Sequence, residues 1–154
     1  MQIELDRARE SLLLLKKTLG SEKIVELFSH LHEETVKTWK QWVEASNGET
    51  RKSSCHMQVN GITPAEMFMF FGSAAKSGDQ PWQYKAHPEH YGFVATPKGP
   101  VIHEVFGHGY LPGIIHMNVA KYPGEVPEGS KHIFWNMCLP DQTQIGTAFV
   151  LLTS

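Results

Sequence analysis

A helical period that runs through the first 46 residues and then stops is the feature that most constrains this chain. Leu5, Ala8, Leu12, Leu15 and Leu19 recur at steps of three and four, so a helix there carries one apolar face. Gly20 is the expected terminator, and Ser21 the expected N-cap of the next helix. Ile24, Leu27, Phe28, Leu31, Thr35, Trp39 and Trp42 continue the period. Asn47-Gly48 is a turn signal, and the polar stretch 47–54 reads as a loop.

Beyond it the pattern changes. Residues 55–59 alternate apolar and polar, as a strand would. Thr63-Pro64-Ala65-Glu66 reads as a helix start: Thr caps, Pro suits the first helical position, and Glu66 closes a capping box. That helix should continue to about Ala75, with Ser77-Gly78-Asp79 breaking it. Segments 101–106, 114–120, 132–138 and 145–152 read as strands with short connections, which favour an antiparallel sheet. The expectation is one α+β domain over residues 1–154, with a helical segment 1–46 and a sheet-rich core 55–152.

Composition narrows the function classes. Hydrophobic residues make up 41% and charged residues 19%, which suits a chain with a core. The net charge of −2 leaves no basic surface to neutralise phosphates, so nucleic acid is not an expected partner. The apolar runs 12–15 and 149–152 are far shorter than a membrane span. The start, Met1-Gln2-Ile3-Glu4-Leu5-Asp6, lacks the basic region of a signal peptide. Cys55 and Cys138 form no CxxC pair, so the expected location is the reducing cytoplasm.

Five of the nine His residues fall between positions 87 and 116. Tyr84-Lys85-Ala86-His87-Pro88-Glu89-His90-Tyr91 holds two His and a Glu within four residues, and Pro88 keeps His87 extended. Such a stiff segment suits a metal ligand or a substrate-orienting group; the alternative is an ordinary polar surface loop. The next cluster is Val101-Ile102-His103-Glu104-Val105-Phe106-Gly107-His108. It only superficially matches the zinc-protease pattern: on a helix, His103 and His108 would stand about 140° apart. As a strand, Ile102, Glu104, Phe106 and His108 share one face, with Val101, His103 and Val105 on the other. Either the Glu104 face lines a cavity, or it meets solvent while His103 enters the core. A buried Glu104 would need a cation, a proton or a metal. His30 and Glu34 share a helix face and read either as two ligands or as an exposed pair. His116 with Asn118, and His132 with Asn136, share strand faces and line a pocket only if those faces point inward.

The run Gln58-Val59-Asn60-Gly61-Ile62-Thr63-Pro64-Ala65-Glu66-Met67-Phe68-Met69-Phe70-Phe71-Gly72 resembles the segment leading into the first helix of the diacetylphloroglucinol and phloretin hydrolases. Tyr84-Lys85-Ala86-His87-Pro88-Glu89-His90 is similar to a following motif of that family, with one residue fewer between the two His. Glu104 occupies the place of a strand Glu near a Gly, and residues 144–151 are similar to a later core strand. The likeness covers roughly residues 55 to 152.

The resemblance implies a Bet v 1-like helix-grip fold, in which a curved antiparallel sheet wraps a helix around a cavity. It implies a zinc-dependent hydrolase that cleaves the carbon–carbon bond between an acyl group and the phenolic ring of a small aromatic ketone. Two His and two Glu bind zinc in that family, and the first pair corresponds to His87 and Glu104. The second pair comes from a His-x-x-x-Glu on a C-terminal helix, which the residues up to Ser154 do not include. His30 and Glu34 have that spacing at the opposite end of the chain and are not assigned to it. His90 and His108 are the expected proton-transfer residues, with Phe70, Phe71, Trp82 and Phe106 stacking on a phenolic ring. Two other readings stand beside this one: a helix-grip protein that binds small aromatic or apolar ligands without catalysis, and an interaction module whose His residues are incidental.

Overall fold

A computed structural model of the chain describes residues 2–77, 81–105 and 111–153. Three helices lead: α1 (Gln2–Leu19), α2 (Ser21–Leu27) and α3 (Ser29–Ala45). Two more, α4 (Pro64–Ser77) and α5 (Pro81–Ala86), precede β1 (His90–Thr96), β2 (Gly99–Val105), β3 (Pro112–Ala120), β4 (Lys131–Cys138) and β5 (Gln144–Leu152). Among the described residues the sheet has five strands in the order β1-β2-β3-β4-β5, every neighbouring pair antiparallel. This is the expected α+β arrangement. No described helix is long and apolar enough to cross a membrane.

Local chemistry accounts for most boundaries. Gly20 adopts φ 75°, a conformation cheap only for glycine, and ends α1. It is also the N-cap of α2, so Ser21 is the first helical residue and not the cap expected of it. The helical period through Phe28 is interrupted, because Phe28 leaves helical geometry (φ −93°, ψ 5°) and sets its ring edge-on to Tyr91 at 5.0 Å. The capping box of α4 forms as read: Glu66 Oε2 accepts the Thr63 N–H at 2.8 Å, and Thr63 Oγ1 accepts the Glu66 N–H at 3.2 Å. The Thr63 N–H, together with the Thr63 hydroxyl that donates to the same carboxylate oxygen at 2.7 Å, holds the Glu66 carboxyl below its usual pKa.

Three expectations fail. Residues 55–59 form no strand; Met57 and Val59 are exposed, and no neighbouring strand takes their backbone groups. α5 and β1 lie where a loop or no element was expected. The apolar face of α1 is rotated: Leu5, Leu15 and Leu19 are exposed, and the residue that α1 buries is Lys16.

The core gathers around Trp39, Ile115 and Leu139, with Val36, Met117, Met137 and Ile145 packed against them. Gly113 lets α3 come this close to β3. A β-carbon there would lie 2.4 Å from the Trp39 ring. Thr35 adds a hydrogen bond from Oγ1 to the Pro112 carbonyl at 3.0 Å.

Candidate functional site

Antiparallel pairing brings the site together. His90 opposes Glu104 in the β1–β2 register, so the two side chains share a face. A bulge follows at once, because the next pair is Gly92 with His103 and then Phe93 with Ile102. The extra residue, Tyr91, keeps His90 and Phe93 on the same side of the sheet although they are three apart. His87 is the first residue after α5, and its N–H still closes the last helical turn on the Gln83 carbonyl at 2.9 Å. The chain then folds back tightly, with the His90 N–H on the His87 carbonyl at 3.0 Å.

Both imidazoles therefore reach one carboxylate. His90 Nδ1 is 3.0 Å from Glu104 Oε2, and His87 Nδ1 is 3.6 Å from the same oxygen. The His90 side chain is 6% exposed, Glu104 20% and His87 48%, so the cluster runs from the interior to the rim. A carboxylate oxygen only accepts, so it is the Nδ1–H of His90 that donates to Glu104.

These residues stand in the wall of a cavity of about 750 Å³. This volume is within the usual range of small-molecule sites. Ile102, Met117, Val119 and Trp135 supply the sheet side, Phe68 and Phe71 come from α4, and Trp82 from α5. Phe70 instead packs its ring on Phe71 at 6.0 Å and on Trp82 at 5.1 Å. The surroundings are mostly apolar, and His87, His90 and Glu104 form a local polar group within them.

The sequence expectations divide accordingly. Ile102 and Glu104 face the cavity together, while Phe106 and His108, expected beside them, lie outside the described residues. His103 is buried on the opposite face, its ring 5.2 Å from that of His32. The choice between a cavity-facing Glu104 and a core His103 is thus resolved as both. His30 and Glu34 are exposed on α3. His132 lines the cavity, and the Asn118 amide donates to Gln142 Oε1 at 3.3 Å. Phe68, Phe93 and Trp135 went unnamed as cavity residues. The Phe93 and Trp135 signal lay in strand alternation, once the register was known.

Among the described residues no group of three or more His, Cys, Asp or Glu side chains is arranged to hold a metal ion. The pairwise spacing does fit one. Two donors bound at 2.0–2.2 Å to a tetrahedral zinc stand about 3–4 Å apart, and the His87–Glu104 separation of 3.6 Å falls within that span. Comparison with protein-family models, with curated proteins and with solved structures finds no match for this chain.

Proposed function

We propose that the protein is a metal-dependent hydrolase that cleaves the carbon–carbon bond between an acyl group and the phenolic ring of a small aromatic ketone. We further propose that the curved sheet and α4 form the grip of a Bet v 1-like fold. The observation that supports this reading is the approach of two imidazoles to one carboxylate in the wall of a large aromatic-lined cavity. In it, His87 and Glu104 hold zinc, and water or residues outside the described set complete the shell. Bound there, zinc would polarise the ketone oxygen and lower the pKa of a bound water.

The chain's own residues account for the rest. Phe71 and Trp82 offer faces on which a phenolic ring can lie. Hydrolysis adds the hydroxyl of water to the acyl carbon and a proton to the ring carbon as the bond between them breaks. His90 is the group we assign to that proton, because Glu104 fixes its tautomer and its ring is nearly buried. The mostly apolar wall also favours a second reading, a carrier of small aromatic molecules without catalysis.

One experiment separates them. Purified protein is loaded with zinc, its metal content is measured, and it is incubated with an acetylated trihydroxybenzene while acetate is followed by NMR. Bound zinc with acetate release supports the hydrolase. Ligand binding without zinc or turnover supports the carrier and overturns the hydrolase.

A further inference from the structure

The least expected side chain in the molecule is Lys16, only 2% exposed although it sits on the leading helix. Burying an ammonium is costly unless its charge is compensated. Its compensation is specific. Lys16 Nζ donates to the carbonyl oxygens of Pro88 and His90, two residues in the turn that delivers the site imidazoles. The same nitrogen lies 4.5 Å from the centre of the Tyr91 ring and 5.3 Å from that of Tyr84. Those rings stabilise a cation on their faces. The contacts span 72 and 74 residues of sequence.

The location of these carbonyls matters. Pro88 has no N–H, and the β1–β2 register slips between His90 and Gly92. The His90 N–H on the His87 carbonyl at 3.0 Å and the Val105 N–H on the Glu89 carbonyl at 3.2 Å hold part of this irregular turn, and the Lys16 bonds engage the Pro88 and His90 carbonyls on either side of Glu89. A mere filler at position 16 would be cheaper as Leu or Met. A charge makes sense if the turn must be held in one shape by strong, directional bonds.

We infer that Lys16 is a positioning residue: it clamps the backbone from Pro88 to His90 and thereby aims the His90 ring at Glu104 and the cavity. It acts through His90 and does not itself touch the reacting groups. The inference rests on the reading of His87 and Glu104 as the zinc ligands and of His90 as the ring that orients Glu104 and carries the proton, and its test can fail separately from that reading.

Zinc affinity is measured by competition with a chromophoric chelator for the wild type, Lys16→Met, His90→Ala and the double variant. Amide hydrogen exchange is followed in the first two. Lys16→Met should fold and bind zinc ~10-fold more weakly, the lower end of the effect seen for groups that orient metal ligands. Exchange should rise selectively across residues 87–91, and the double variant should bind no more weakly than His90→Ala. Wild-type affinity with wild-type exchange in Lys16→Met, or losses that multiply in the double variant, would overturn the clamp. Should Lys16→Met fail to fold, amine acylation of the wild type decides. Lys16 should react far more slowly than exposed Lys23, and zinc should slow it further; labelling at the rate of Lys23, or indifferent to zinc, overturns it. A wild type that binds no zinc sinks the proposed function alone. The clamp is then judged by exchange: a rise confined to residues 87–91 supports it, and a uniform rise or none overturns it.

Discussion

On one side of β2, His103 is 5% exposed and packs beside the His32 ring; on the other, Glu104 meets two imidazoles at the wall of a cavity. The two residues are consecutive, and strand geometry alone sends them to opposite faces. Their surroundings then diverge. The His103 side is closed by the amino-terminal helices, with Val25 of α2 against Gly92 and His32 of α3 against His103. The Glu104 side opens on the cavity where His87 and His90 stand. Local density of histidine therefore does not locate chemistry; what each ring faces does. A ring facing another ring in a packed interior is a stability element, and a ring facing a carboxylate beside an open cavity has room for a ligand.

The largest effect should come from neutralising the carboxylate. Glu104→Gln is expected to abolish zinc binding and hydrolysis while the fold is retained, as read by elemental analysis, acetate release and circular dichroism. His103→Gln should keep its zinc even if it loses stability. Loss of zinc in His103→Gln at unchanged stability would erase the distinction between the two faces.

A second contrast lies within the Glu104 face itself. Ile115 pairs with Ile102, so the packed core and the cavity share that face, and Met117 belongs to both. Trp39 fills the packed end against Gly113 and is 9% exposed; Phe71 lines the hollow end and is 38% exposed. Urea unfolding should show Trp39→Ala destabilised by about 3–5 kcal/mol, the range for removing a buried aromatic. Phe71→Ala should cost about 1 kcal/mol or less, because little packing is lost, yet weaken binding of an aromatic ligand. Equal stability losses would mean that the cavity is closed and packed in solution.

A smaller change tests the helix on the cavity's far wall. Thr63→Ala removes one half of the α4 capping box and should cost about 1 kcal/mol. With few contacts to spread the loss, it should appear as faster amide exchange within α4 and weaker ligand binding more than as a lower global midpoint. A loss spread evenly over the sheet would show that α4 is part of the cooperative core.

How legible all this was in the sequence depends on whether the signal was local. Gly20, Asn47-Gly48 and the Thr63 box are local backbone chemistry, and each stands where it was read. The strands at 101, 114, 132 and 145 were legible as short runs punctuated by Tyr122-Pro123-Gly124-Glu125 and Leu139-Pro140-Asp141. The approach of His87 to Glu104 was expected and is found at 3.6 Å. What was not legible depends on partners. β1 begins at a histidine and contains a bulge, so its alternation is broken at the residues that matter most. Segment 55–59 has the alternation and lacks a partner. Lys16 interrupts a run of leucines and reads as solvent-facing, because nothing near it in sequence announces carbonyls more than seventy residues away.

The smallest expected effect is a pH dependence on the closed side. Burial, with repulsion from His30 second, lowers the His32 pKa from its usual value of 6.5. Nε2 of His32 is buried with no hydrogen-bond partner among the described residues, so no acceptor there is ready for a second proton. The unfolded chain, in contrast, takes up that proton as the pH falls through 6.5. Between the unfolded and folded pKa values the unfolded state binds more protons, so folding stability declines as the pH drops. The contribution is fully present above the unfolded value, is lost as the pH falls toward the folded one, and stays flat below it. Denaturant midpoints between pH 8 and pH 5 should therefore decrease on the acid side, and His32→Phe should flatten that limb. The comparison is made between the two proteins in a chelator, with metal removed from both. An acid limb equally steep in His32→Phe would show that the closed face tolerates a charged ring, and that His32 is better hydrated than its burial implies.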